Sequence, residues 1–405
     1  MEQGLPSLPN GWHKKQLGDV VKLSQGTQVP VGDQYLEQED GLIRFLRISD
    51  FVRSDEPPRY ILNPGSQYLV EADDICMIRY GDAGRAVTGL AGALANNLFK
   101  ISPIESLLKR FLFLQLCSPR CVDYLRAANN SSTMPAISFK AVNAMEVSVA
   151  PLDEQKRIVE KLDALLTRID TAIEHLQESV TLADELYASE LNEVFPSDVD
   201  IESLTDKDGW LSLSDICTFE NGDRGKNYPS KSAFVAEGIP VVSAGNLGER
   251  YIDHKGLNYI TPERYELLRS GRIRVGDILF CLRGSLGKVA ISKDINEGVI
   301  ASSLVIIRPK DQVSAEYIYK YLKSSLCQKF ISYYNNGAAQ PNLSAKSLGK
   351  FMLPLPNAEH QKLIVDGLDE KYQLNQKLLD GLNSKIISLQ SLKASILDSA
   401  FKGEL

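Results

Sequence analysis

The chain has 405 residues, 43% of them apolar and 24% charged, a globular composition too long for one ordinary core. No stretch reaches the roughly 18 uncharged apolar residues of a membrane span, and the start, MEQGLPSLPNGW, lacks the basic and apolar regions of a signal peptide. The net charge of −7 argues against nucleic acid until it is divided: residues 1–150 carry −1, 151–206 carry −11, 207–356 carry +6 and 357–405 carry −1.

Taken in chain order, residues 1–150 are rich in glycine, proline and short apolar runs such as MEVSVAP, and read as mixed strands and turns. From Pro151 a helix is expected over 151–195. Ile158, Leu162, Leu165, Ile169, Ile173, Leu176 and Val180 recur at alternating steps of three and four, the seam of a coiled coil. A linker over 196–209 leads to a second β-rich block, 210–356, with the runs GDILFCL and LVIIRP. Within it SAEYIYKYLKSSLCQKFI (Ser314–Ile331) has helical spacing and a serine cap. A second long helix is expected over 357–405, with Leu368, Leu379, Leu382, Ile386, Leu389, Ile396 and Ala400 in similar register. Asn375 and Lys393 interrupt its stripe with polar groups of the kind that specify register.

The second half repeats the first. NNSSTMPAISFKAVNAMEVSVAPLDEQKRIV (Asn129–Val159) and NNGAAQPNLSAKSLGKFMLPLPNAEHQKLIV (Asn335–Val365) share nine of 31 positions without a gap. Leu17–Gly26 matches Leu213–Gly222, and Asp74–Val87 matches Asp277–Ala290. The changing offset is what surface-loop insertions produce. Two copies of a whole unit, rather than a solenoid, are implied.

An apolar stripe on a long helix needs a partner, and the nearest is the other helix. Antiparallel pairing avoids a long return connection. The expected fold is α+β: two β-rich heads on an antiparallel two-helix coiled coil with a pseudo-twofold repeat. The pairing positions are Ile158, Leu162, Leu165, Ile169 and Leu176 against Leu379, Leu382, Ile386, Leu389 and Ile396. About 44 helical residues make a spacer of roughly 65 Å.

Tight glycine turns, RYGDAGR (Arg79–Arg85) and RGSLGK (Arg283–Lys288), hold cations at both ends and let the backbone approach a phosphate. Judged singly, each reads as a solvated hairpin sooner than as a binding turn; their corresponding places in two copies bring the binding reading level with it. SAGNL (Ser243–Leu247) aligns with Ser49–Phe51 and offers small polar groups. GAAQPNLS and SSTMPAIS place a polar loop before the strand leading to each helix. The residues expected to face DNA are Arg47, Ser49, Arg79, Tyr80, Arg85, Thr133 and Lys140 in the first copy. In the second they are Ser243, Asn246, Arg283, Ser285, Lys288, Gln340, Asn342 and Lys346. The acidic first helix reads as a solvated face or as a docking surface for a basic partner.

Catalysis is not expected. Adenine methylation would need an (N/D)PP(Y/F) turn, and DEPPRY (Asp55–Tyr60) is spoiled by Glu56 and Arg59. GSLGKV and GDRGKN lack the spacing and hydroxyl of a phosphate-binding loop. Asp74 and Asp277 look like strand-start residues. Six dispersed cysteines form no C-x-x-C pair, so neither zinc nor disulfides are expected and the thiols should be buried and reduced.

The order head, helix, head, helix, together with AQPNLS…FMLPLPNAEHQKLIV, MPAIS…VSVAPLDEQKRIV and GDILFCLRGSLGKVAI, resembles the DNA-specificity subunit of type I restriction–modification systems. That resemblance covers essentially the whole chain. It implies two target recognition domains that each read half of a split DNA site, spaced by the helices. It also implies two methyltransferase subunits and optionally two restriction subunits as partners in the cytoplasm. S-adenosylmethionine, ATP and Mg2+ would then belong to those partners. A type IIB-like system with the same heads, and an adaptor whose duplicated heads bind protein, are the alternatives.

Overall fold

The computed structural model describes residues 9–53, 55–128, 136–225, 228–335 and 342–405, apart from the side chains of residues 205, 206 and 231. Two compact units divide the chain: Met1–Gln177 with Asn383–Leu405, and Glu178–Leu382.

The first unit contains β1 (His13–Gln16), β2 (Val21–Gln25), β3 (Leu42–Leu46), β4 (Arg59–Leu62) and β5 (Leu69–Val70). It continues with β6 (Ile75–Ile78), β7 (Ala86–Val87), β8 (Gly92–Leu94), β9 (Leu98–Pro103) and β10 (Glu146–Val149). Short helices are α1 (Ile48–Val52), α2 (Lys109–Leu116), α3 (Pro119–Ala127) and α4 (Phe139–Asn143), and the long α5 spans Leu152–Val194. One sheet runs β2-β9-β6-β7, a second runs β4-β3-β8-β5, and β1 pairs with β10. Side chains alternate across a strand, and β6 uses both faces. Ile75 and Met77 pack with α2 and the long helices, whereas Cys76 and Ile78 pack against the second sheet.

The second unit repeats this arrangement. Its strands are β11 (Trp210–Ser212), β12 (Cys217–Asn221), β13 (Ile239–Val242), β14 (Asn258–Ile260) and β15 (Arg272–Ile273). After them come β16 (Ile278–Cys281), β17 (Val289–Ile291), β18 (Gly298–Ile300), β19 (Leu304–Pro309) and β20 (Met352–Pro354). The helices are α6 (Leu213–Ile216), α7 (Pro262–Glu266), α8 (Ala315–Lys323), α9 (Ser325–Tyr334), α10 (Ala345–Gly349) and the long α11 (Ala358–Lys402). The sheet orders β12-β19-β16-β17 and β14-β13-β18-β15, with β11 on β20, reproduce those of the first unit strand for strand. The parallel strand pairing recurs as well, β3 with β8 and β13 with β18. The helical stretch expected from Ser314 is two helices. Ser314 caps the first through Tyr317 N, and Ser324 breaks the run and caps the second through Cys327 N.

Each unit pairs the long helices antiparallel. In the first, Arg157 Nη2 donates to the Leu405 carbonyl at 2.6 Å, and Lys393 meets Asp170 at 2.6 Å. In the second, the Tyr187 and Tyr372 rings lie 5.2 Å apart and Glu190 pairs with Lys371. Ile158, Leu162 and Ile169 are buried, while Leu165, Leu176, Leu379, Leu382, Ile386, Leu389 and Ile396 are half-buried. Leu166, not Leu165, enters the core of the first unit. The opening turns of α5 face α2 and the β-rich block, so the stripe there follows that surface instead of a coiled-coil seam. Val365 and Leu368 do the same in the second unit.

Two repeated residues explain why the helix starts are alike. Gln155 Oε1 accepts from Leu108 N at 2.8 Å, and its Nε2 donates to the carbonyls of Ser106 and Ala150. Gln361 does the same with Ser314 N and the carbonyls of Gln312 and Pro356. Both amides are buried and satisfied at each end. The far ends of the helices repeat too. Phe401 of α11 meets Phe111 in the first unit, Phe195 meets Tyr317 in the second, and both ring pairs are 5.2 Å apart.

Candidate nucleic-acid interface

In the second unit β16 ends in a turn whose sequence is RGSLGK. Gly287 N donates to Cys281 O, Lys288 N to Ser285 O, and Gly284 adopts φ +76°, which a side chain would strain. The first unit closes the same turn with Gly84 N to Ile78 O, Arg85 N to Asp82 O and Gly81 at φ +77°. Each turn is then stitched to the loop before α10 or α4. Arg283 forms a β-bridge with Asn342, and Tyr80 forms the matching bridge with Ala136. Residues more than 50 positions apart in sequence thereby share one edge.

The bridge in the second unit opens onto a cavity of about 520 Å³ lined by Arg283, Asn342 and Lys346, with Asn221, Arg224 and Ser344. Arg283, Asn342 and Lys346 are exposed, as is Ser285 on the turn. The structure thus brings three of the expected residues together and adds Asn221 and Arg224, which sequence reasoning passed over. They lie at the end of a repeated block that closes on Gly222, and the repeat itself does not mark them. Lys288 stands apart from the cavity, its Nζ donating to the Ala244 carbonyl at 3.1 Å.

In the first unit the two cations expected at the ends of RYGDAGR part company. Arg85 is exposed beside Asp82. Arg79 is not the counterpart of Arg283: Ile137 N donates to Arg79 O as Leu343 N does to Leu282 O, so Tyr80 holds the place of Arg283. The Arg79 guanidinium folds back, donating to Gln25 Oε1 at 2.8 Å with its carbon 5.4 Å from the Tyr80 ring centre and 5.8 Å from that of Phe139. Its Nε, like Asn97 Oδ1 nearby, is buried without a partner among the described residues. Lys140 is exposed on α4. Thr133 and Gln340 lie outside the described residues.

The aligned loops at Ser49 and Ser243 hold backbone together. Arg47 donates to Asp50 at 3.0 Å and to the Pro57 carbonyl at 2.9 Å, so its guanidinium anchors α1 rather than reaching outward. Ser49 sits half-buried in α1. Asn246 Oδ1 accepts from Ser243 N and Oγ, and its Nδ2 donates to the Lys255 carbonyl. At 6% exposure, with both ends of its amide engaged, Asn246 is buried in this cap, and Ser243 donates its hydroxyl to it. In the folded chain these residues cap backbone.

Asp74 and Asp277 are buried at strand starts. Burial pushes the Asp74 carboxyl up, but hydrogen bonds from Lys100 and Lys109 outweigh it and hold the group below the usual carboxylate range. Asp277 is gripped by Arg308 through two contacts of 2.7 Å. All six cysteines are free. Burial pushes Cys76 and Cys217 up to about 12, which removes them as nucleophiles. Among the described residues no helix is long and apolar enough to cross a membrane.

Residues 9–182 and 208–386 match the family described as "Type I restriction modification DNA specificity domain". The EcoBI specificity subunit of Escherichia coli is 24% identical over 99% of this chain and 88% of its own length. The MjaVIII specificity subunit of Methanocaldococcus jannaschii is 20% identical over 94% and 92%. Among solved structures, a chain from a study of complex assembly and conformational transition in the type I R-M system superposes with a TM-score of 0.75 at 21% identity, over 98% of this chain and all of that one. The HsdS subunit from Thermoanaerobacter tengcongensis gives 0.54 at 22% identity over the whole of both.

Proposed function

Because the chain belongs to the family of type I restriction–modification DNA specificity subunits, we propose that it reads a bipartite DNA target and positions partner subunits for adenine-N6 methylation or ATP-dependent cleavage. The observation that carries this reading is the same bridge built twice, Tyr80 on Ala136 and Arg283 on Asn342, on two copies of one fold, opening onto a cleft in the second. Arg283, Arg224 and Lys346 supply the cations and Asn342 the amide that phosphates and base edges require. The net +6 of residues 207–356 favours DNA at that cleft.

The chain itself performs no chemistry in this reading. S-adenosylmethionine, ATP and Mg2+ are bound by two methyltransferase subunits and, where present, two restriction subunits in the cytoplasm. Support for partner docking comes from the outer face of the paired helices in the second unit. There Leu186, Leu374 and Leu378 are 59%, 60% and 49% exposed and line a shared groove. Contiguous exposed apolar surface of this kind marks interaction sites.

A mobility-shift titration of the full chain on random duplex at several salt concentrations tests the reading. Affinity is expected to fall about a hundredfold or more between 50 and 200 mM salt, because phosphate contacts release counterions. A binding constant flat in salt, or no binding, points instead to a protein adaptor. Inserting four residues, about 6 Å of rise, into the middle of both α5 and α11 is expected to lengthen the gap between half-sites without changing their bases. An unchanged gap takes the spacing role away from the helices.

A further inference from the structure

Just beyond β2 and β12 the two units carry the same backbone with different side chains. Gly26 and Gly222 are pressed onto the turn that precedes β9 and β19. A Cβ on Gly26 would meet the Ala95 carbonyl at 2.2 Å, and one on Gly222 would meet that of Ala301 at 2.7 Å. The close approach sets the next residues at equivalent places, Gln28 beside Asn96 and Arg224 beside Ser302. In the first unit Asn96 Nδ2 donates to Gln28 Oε1 at 3.3 Å. In the second Arg224 Nη2 donates to the Ser302 carbonyl at 3.2 Å. Gln28, Asn96 and Arg224 are all exposed.

What these contacts leave over differs in kind. In the first unit Gln28 Nε2 and Asn96 Oδ1 lack partners among the described residues, so the pair presents a donor next to an acceptor. The major-groove edge of adenine asks for that combination, an acceptor for its amino group and a donor for N7. In the second unit the remaining Arg224 N–H groups present donors only. The edge of guanine, with O6 and N7, asks for donors only. Gln25 does not compete, because its amide is spent on Asn96 O, Leu98 O and Arg79. The Arg224 loop is held ready by the buried Asp223. Its Oδ1 accepts from Gly225 N at 2.6 Å and its Oδ2 from Arg269 N at 2.8 Å.

We infer that Gln28 with Asn96 reads an adenine in one half-site, and that Arg224 at the equivalent place reads a guanine in the other. This rests on the DNA-reading function proposed above. It adds specificity-determining residues that neither the repeat pattern nor the family match singles out.

The test is selection from a pool of randomised duplex DNA by the full chain, by Arg224→Gln with Ser302→Asn, and by Gln28→Arg with Asn96→Ser. The unsubstituted chain is expected to select two half-sites. The first double variant should change one base pair of one half from guanine to adenine preference, by about tenfold in enrichment, and leave the other half alone. The second should do the converse in the opposite half. An unaltered motif with uniformly weaker binding overturns the inference, since it makes Arg224 a phosphate contact. Should a double variant melt early, Arg224→Ala removes the donors and is expected to lose the guanine preference while Arg283 and Lys346 keep the DNA bound; a retained preference also overturns it. If the unsubstituted chain selects no motif at all, the DNA-reading function itself fails, a result distinct from the other outcomes.

Discussion

Asp163 and Asp369 occupy equivalent points on α5 and α11, yet their surroundings make them different groups. Asp163 pairs with Arg110 at the surface, with side chains 39% and 46% exposed. Asp369 is held by Arg250 at 2.8 Å and by Lys320 at 2.6 Å, and Lys320 is only 3% exposed. The counterpart of Arg110 is Glu316, so the second unit brings its arginine from the loop after β13 instead. The two units thus share apolar packing and backbone capping, while their charges were redistributed around the same frame. A core tolerates little change of shape, whereas an ion pair can be rebuilt from any loop within reach.

The largest expected effects leave the units alike. Phe195→Ala and Phe401→Ala each remove a buried ring from equivalent packing. Each should cost about 4 kcal/mol in chemical denaturation. A twofold disparity between them would mean that the ends of the helices are not equivalent anchors.

Next in size, Asp369→Asn strands Lys320 in the interior and is expected to cost about 3 kcal/mol, whereas Asp163→Asn should cost under about 1 kcal/mol. The acid limb separates them further. Burial pushes the Asp369 carboxyl up, but Arg250 and Lys320 outweigh it and hold it below its ordinary range. Its contribution is therefore whole above about pH 4 and drains as the pH falls through the lowered value. In Asp369→Asn that part of the stability-versus-pH slope should vanish, measured by denaturant titrations from pH 2 to 7. An identical acid limb in Asp369→Asn and the unsubstituted chain would remove the contrast.

An effect smaller than that of Asp369→Asn sharpens the common frame. Gln155→Ala and Gln361→Ala leave one buried N–H and two carbonyls unserved at each helix start. Each should cost about 2 kcal/mol, and amide exchange should quicken at Leu108 and Ser314 respectively. Exchange unchanged at those two amides would show that the glutamines are not what hold them.

The repeat, the helix–head alternation and the need of each long helix for an apolar partner were legible because periodicity and self-similarity are local, countable properties. Ser314 as a cap and the glycines of both turns were legible for the same reason, since short-range backbone geometry demands those residue types. Which charged or polar side chain faces outward was not. Arg47, Asn246 and Arg79 have the composition of DNA readers, and Asp50, Ser243 and Gln25, brought beside them by the folded chain, take part of their hydrogen-bonding capacity. Arg224 and Gln28 went unnoticed because their meaning lies in the close approach of Gly222 and Gly26 to a distant turn. Sequence by itself determined the architecture, since apolar patterning selects elements and their partners one segment at a time. Only tertiary structure decided which polar groups stay exposed, because a hydrogen-bonding group is free or spent according to neighbours that sequence distance does not reveal.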